Sequence, residues 1–120
     1  MIEVKVSFDR DKHRAREDTR HWAALALPAE DKVGVEDPRE MERLASALTP
    51  EQAASRWIVA TDPDEAADRI GEYVRMGFNH VVIHGPGHDQ ERFIRAFSKD
   101  VMPRLRAKYG NVRPAAATTA

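Results

Sequence analysis

Apolar and polar positions alternate strictly at the start of the chain: Ile2, Val4, Val6 and Phe8 fall on one side, Glu3, Lys5 and Ser7 on the other. A period of two is the signature of a strand with one face buried, so residues 2–8 predict a β-strand. From Asp11 to Leu27 the pattern turns helical, polar at first and apolar around Trp22, Ala23, Leu25 and Ala26, and Pro28 closes it. Residues 29–36 read as a loop carrying Lys32 and Gly34. Three segments then repeat one helix-start signal: Asp37-Pro38 with Glu40, Thr49-Pro50 with Gln52, and Asp62-Pro63 with Glu65. Each pairs a capping side chain with a proline at the first helical position and an acid or amide at the third. They predict helices over 38–48, over a short stretch leading to Arg56, and over 63–76, the last placing Ala66, Ile70, Tyr73 and Val74 on one face and stopping at Gly77. Trp57 to Ala60 is a short extended piece.

A second strand is predicted over His80 to His84, where Val81, Val82 and Ile83 are apolar in succession, as in a parallel strand covered on both faces. Gly85-Pro86-Gly87 turns the chain into a final helix over 89–109, with Phe93, Ile94, Phe97, Val101 and Leu105 as its buried stripe and a kink at Pro103. The last ten residues, NVRPAAATTA, have neither periodicity nor bulk. We therefore expect one structured unit over 1–110 and a disordered tail over 111–120. The order strand, helices, strand, helix implies an α/β unit in which the strands at 2–8 and 80–84 lie parallel, joined by a right-handed crossover, with the helices on one side. Two such strands leave backbone edges and apolar surface in need of cover. Either the chain associates with itself, or it is the end of a longer polypeptide.

Composition narrows the possibilities. A length of 120 residues supports one small domain but not a complete eight-stranded α/β barrel, which takes roughly 250. Nineteen basic against twenty acidic side chains give a net charge of −1, so neither nucleic acid nor a lipid surface is favoured as a partner. The absence of cysteine removes disulfides, thiolate metal sites and cysteine nucleophiles. No apolar run approaches the ~20 residues of a membrane span and no signal-peptide pattern opens the chain, so a cytoplasmic location is expected.

Five histidines raise the question of metal or acid-base chemistry. His80, His84 and His88 recur every four residues, but on a strand and turn that spacing does not make a ligand face, and no metal site is expected. His84 ends its strand, the position from which barrel enzymes line an active-site mouth. Gly85-Pro86-Gly87 falls short of a dinucleotide fingerprint and reads as a strand-to-helix turn whose amides could approach an anion. Trp22 and Trp57 read as packing residues. Lys32 and Arg56 sit at loop or helix-end positions, where a point-charge ammonium and a forked guanidinium suit a phosphate. A solvated lysine and an arginine paired with nearby acids is the other reading of the same two residues.

The runs IEVKVSFD, EDTRHWAALAL, DKVGVEDPREME, SRWIVATDPDEA, HGPGHDQERF and MPRLR together resemble the C-terminal portion of the deazaflavin-dependent glucose-6-phosphate dehydrogenases, within the bacterial-luciferase-like oxidoreductases. The resemblance implies the last two strand-helix units of a (β/α)8 TIM barrel. It implies coenzyme F420 as cofactor, hydride transfer from C1 of glucose 6-phosphate to the deazaflavin, and a homodimer when complete. The family's catalytic histidine, tryptophan and glutamate belong to the first half of the barrel, so no catalytic residue is expected in this chain and the chain alone should be inactive. The lysine before DP-x-EME and the arginine ahead of W-I-V-A bind the sugar phosphate in that family, which assigns Lys32 and Arg56 to the substrate phosphate. The alternative is a stand-alone α/β module that binds a phosphorylated ligand or dimerises through its sheet edge without catalysis.

Overall fold

The computed structural model describes residues 1–110, so the expected tail at 111–120 lies outside the described residues. Three strands form one parallel sheet in the order β2-β1-β3: β1 (Ile2–Phe8), β2 (Ile58–Ala60) and β3 (Val81–His84). β1 pairs along its first half with β3, Ile2 opposite Val81 and Lys5 opposite His84, and along its second half with β2, Val6 opposite Ile58 and Phe8 opposite Ala60. The piece at 57–60, read from the sequence as merely extended, is thus a third strand. At three residues it is too short to show a period, and only its partner identifies it.

In-register partners share a face, so the alternation in β1 sorts the whole sheet. Val4, Val6, Phe8 and Ala60 pack with Ala66, Ala67, Ile70, Phe97 and Val101 into the core, with Ile2, Ile58, Val81 and Ile83 against it. The opposite face carries Glu3, Lys5, Ser7, Val59, Val82 and His84. Val82 is 41% exposed there, so β3 is not covered on both faces within this chain.

Helix α5 (Pro63–Arg75) starts as its signal promised, the Asp62 carboxylate accepting the Asp64 amide, and buries Ala66, Ala67, Ile70 and Gly71. Gly71 lies so close to the Tyr109 ring that any side chain there would overlap it. The final helix is divided into α6 (Gln90–Ala96), a π-turn at Phe97–Val101 and α7 (Met102–Tyr109). Pro103 has no amide to donate and its ring crowds the carbonyl four residues back, so the ladder re-registers in the turn before it. The expected stripe is corrected at one position. Phe93 and Phe97 stack at 5.5 Å, but Ile94, about 100° further round the helix, is 61% exposed.

The expected helix over 11–27 is also broken. α1 (Lys12–Asp18), capped by Asp11, gives way to a 3₁₀ segment, Thr19–Ala26, in which Trp22 leaves helical geometry at φ −119° and ψ 23°. The cause is tertiary: the Trp22 indole donates to the Pro86 carbonyl at 3.0 Å, sixty-four residues away. Three short helices follow before β2: α2 (Ala29–Lys32), within the expected loop, α3 (Pro38–Ser46) and α4 (Pro50–Ala54), the last opened by a Thr49–Gln52 capping box. Nor do all helices lie on one side of the sheet. The Ser7 hydroxyl points away from the core face and donates to the Ala15 carbonyl of α1, so α1 sits against the end of β1 opposite α5.

Ile70 is 2% exposed at the centre of the core. Ile70→Ala should cost about 2–5 kcal/mol, whereas Ile94→Ala should stay within roughly 0.5 kcal/mol of the parent. Thermal denaturation of both variants checks the assignment, and a large loss at Ile94 would contradict it.

Candidate functional site

The polar face of the sheet gathers its chemistry around Glu3. The Lys5 ammonium and the His84 Nδ1 each come to 3.4 Å of the same carboxylate oxygen, Glu3 Oε1. This follows from register, because Glu3 and Lys5 are two residues apart on β1 and His84 stands opposite Lys5 on β3. Two indoles wall the histidine. Trp22 meets it edge-on at 4.8 Å and 87°, Trp57 at 5.2 Å and 66°. Trp57 is 5% exposed, and its Nε1 is buried without a hydrogen-bond partner. Leaving such a donor unpaired costs about 1–3 kcal/mol.

A cavity of about 310 Å³ opens beside this cluster at the edge of β1 that β2 does not reach, lined by Glu3, Lys5, Ser55, Arg56, Trp57 and Arg69 among others. Three of these side chains are cations against one acid. Arg56, in the turn between α4 and β2, is exposed and donates from Nε to the Leu25 carbonyl at 3.2 Å, and it joins none of the ion pairs among the described residues. Arg69 is held by the Val59 carbonyl at 3.3 Å and by Glu65 at 3.8 Å. Lys32 ends α2, half-buried, and likewise joins no ion pair among the described residues. The structure brings Arg56 together with Lys5, Arg69 and Trp57; it records no contact between Lys32 and that group. The sequence reading assigned no role to Glu3, Lys5 or Arg69. The signal for the first two was their shared face in the alternation, but its meaning depended on His84 lying opposite.

Of the remaining histidines, His13 and His80 are exposed. His21 and His88 stack at 3.5 Å, and the His80 carbonyl takes the Ile2 amide at 3.0 Å. The turn is no anion cradle. Gln90 donates to the Gly85 carbonyl at 3.1 Å, Gly87 lies against the Asp18 carboxylate, and Asp89 follows, so acceptors and acids surround it. Beside it Arg92 bridges Asp18 at 2.6 Å and Asp9 at 3.5 Å. Burial, then the neighbouring Asp9 charge, push the Asp18 carboxyl up from the ordinary carboxylate range, with Arg14 and His21 pulling it back down. Among the described residues no group of three or more His, Asp or Glu is placed to hold a metal ion. No helix among them is long and apolar enough to cross a membrane.

Comparison with known proteins finds similarity to oxidoreductases that depend on coenzyme F420. No family model matches the chain. Among curated relatives it is similar to the proteins named F420-dependent glucose-6-phosphate dehydrogenase: 58% identical over 110 residues to that of Nakamurella multipartita and 59% over 108 to that of Beutenbergia cavernae, covering 92% and 90% of this chain. The Mycolicibacterium smegmatis protein of the same name is 57% identical over 106 residues. The chain spans about a third of these relatives' length, 32% in each case. A solved F420-dependent secondary alcohol dehydrogenase in complex with an F420-acetone adduct superposes with a TM-score of 0.68 at 28% identity, over 87% of this chain and 31% of that one.

The residues of this chain do not by themselves fit the deazaflavin. A flavin-like ring needs a flat slot, whereas Trp22 and Trp57 both stand steeply tilted against His84 and in contact with it. Arg92→Ala would leave Asp9 and Asp18 facing each other without their cation, at a cost of about 1.5–3 kcal/mol at pH 7. The Asp18 carboxyl, already raised, would be raised further above its unfolded value, so the loss should shrink as the pH falls toward 4 and it protonates. Chemical denaturation at the two pH values checks this; an equal loss at both would contradict it.

Proposed function

We propose that the chain is the C-terminal third of an F420-dependent oxidoreductase that takes glucose 6-phosphate as substrate, and that Arg56 and Lys32 hold the phosphate. The observation that carries this reading is identity of 57–59% to enzymes of that name across nine-tenths of the chain. Arg56 supports it in space, as an exposed guanidinium without an acidic partner among the described residues, on a cavity it shares with Lys5 and Arg69. A forked guanidinium grips two phosphate oxygens, and Lys32 adds a point charge.

In this reading β1 and β3 are the last two strands of a luciferase-like (β/α)8 barrel, and the face bearing Glu3, Lys5 and His84 is its inner side. The 41% exposure of Val82 on that face is what a strand shows when its remaining cover comes from other sequence. The catalytic groups and the coenzyme pocket belong to the other two thirds of the polypeptide, and the complete enzyme is a cytoplasmic homodimer. The stand-alone phospho-ligand module differs in one consequence: it would never support F420 reduction.

Joining this chain to the remaining two thirds of the Nakamurella multipartita relative separates the two readings. The chimera should reduce F420 with glucose 6-phosphate, and Arg56→Ala should raise KM for the sugar phosphate roughly 10- to 150-fold, the equivalent of about 1.5–3 kcal/mol in charge-assisted hydrogen bonds. Lys32→Ala should have the smaller effect, and coenzyme affinity should hold in both. A chimera that folds and binds F420 but ignores glucose 6-phosphate, or an unchanged KM in both variants, would overturn the assignment.

A further inference from the structure

β3 pairs with β1 on one side only, so its outer edge is unpaired among the described residues. Register says which groups that edge carries. The Ile2 amide donates to the His80 carbonyl at 3.0 Å. Alternate residues of a strand point their backbone groups to opposite edges, so Val82 also turns toward β1 while the amides and carbonyls of Val81 and Ile83 face outward. Both faces of the same strand are incomplete as well. On the core side a cavity of about 700 Å³ opens among Val74, Phe78, Val81, Ile83, Met102 and Leu105. On the other side Val82 stands in solvent. Further in, Val6, Ala66, Ala67, Ile70 and Val101 are buried. The chain thus has a finished core and a gap confined to one border.

A single added strand would pair the edge and leave the apolar cavity open. A strand followed by a helix meets both, with the strand on the edge and the helix over the cavity, as in any parallel sheet covered by its crossovers. Two-fold pairing of β3 with a second copy of itself would be antiparallel and only four residues long. Length points to the occupant: the chain spans 32% of its relatives, so about two thirds of their sequence lies outside the match. We propose that the free edge of β3 and the cavity beside it form a docking surface for a parallel strand-helix unit from those other two thirds, and that they capture it as a separate chain, with no peptide link. The proposal rests on the reading of this chain as the C-terminal third of an F420-dependent oxidoreductase. It adds that the surface is ordered before its partner arrives, so docking costs little ordering entropy.

The test is to co-express this chain, affinity-tagged, with the two thirds of the Nakamurella multipartita relative that it does not match. The expected result is a one-to-one complex, with a dissociation constant on the order of micromolar or below, that reduces F420 with glucose 6-phosphate. Val81→Pro removes an outward amide at the first position of β3, where proline is tolerated, and leaves the ladder to β1 intact. It should weaken the complex at least roughly tenfold. Leu105→Asp, which sets a charge in the cavity wall, should do the same, whereas Ile94→Ala, at an exposed position on α6, should change nothing. Circular dichroism confirms that the variants fold. No complex on co-expression, beside an active covalent chimera, overturns the docking surface and leaves the proposed function standing. A complex indifferent to both Val81→Pro and Leu105→Asp overturns it too, as does a dimer of this chain alone that Val81→Pro dissolves. An inactive complex that Val81→Pro breaks would keep the surface and count against the glucose 6-phosphate reading.

Discussion

Everything in this molecule depends on the register of β1 against its two parallel neighbours. Because β1 alternates strictly, each in-register partner inherits a side: Ile58, Ala60, Val81 and Ile83 are drawn to the apolar face, Val59, Val82 and His84 to the polar one. A slip of one residue would turn Val4, Val6 and Phe8 out of the core and send Lys5 into it. The cost of that exchange holds the sheet, and the same constraint delivers His84 to Glu3. Core and site are therefore two faces of one pairing scheme.

The two faces are covered differently. The apolar side is covered by α5, α6 and α7 around Ile70, Phe97 and Val101, and a cavity of about 700 Å³ opens there beside Val81, Ile83, Met102 and Leu105. The polar side has α1 and the 3₁₀ segment against its end, with Val82 in solvent, and a cavity lies at the unpaired edge of β1, where Arg69 of α5 also lines it. The long connection between β1 and β2 links the two. Its Leu25 carbonyl holds Arg56, and its Trp22 reaches across to Pro86 beside β3. The helix break at Trp22 is thus the local consequence of a contact that positions the aromatic wall of His84.

Much of this was legible in the sequence, and the failures have physical causes. The Pro-led helix starts at Asp37, Thr49 and Asp62 were read correctly because capping is a local interaction written in adjacent residues. The two strands and their parallel pairing followed from alternation and connectivity. β2 was missed as a strand because three residues carry no period. Ile94 was misassigned because helical spacing leaves the edge of a stripe ambiguous by one position. The break at Trp22 and the site of α1 depend on partners distant in sequence, which no local pattern contains. The same holds for the site. Arg56 is proposed on the strength of its resemblance-bearing neighbours, whereas Glu3, Lys5 and Arg69 come together only once folding sets them around one cavity.

The central claim is that Arg56, at the cavity along the unpaired edge of β1, receives the phosphate of a phosphorylated sugar. A crystal structure of this chain joined to the other two thirds of a relative, soaked with glucose 6-phosphate, tests it most directly. The account predicts the phosphate within hydrogen-bonding reach of the Arg56 guanidinium. A sugar phosphate bound elsewhere, with Arg56 still turned to the Leu25 carbonyl, would contradict it.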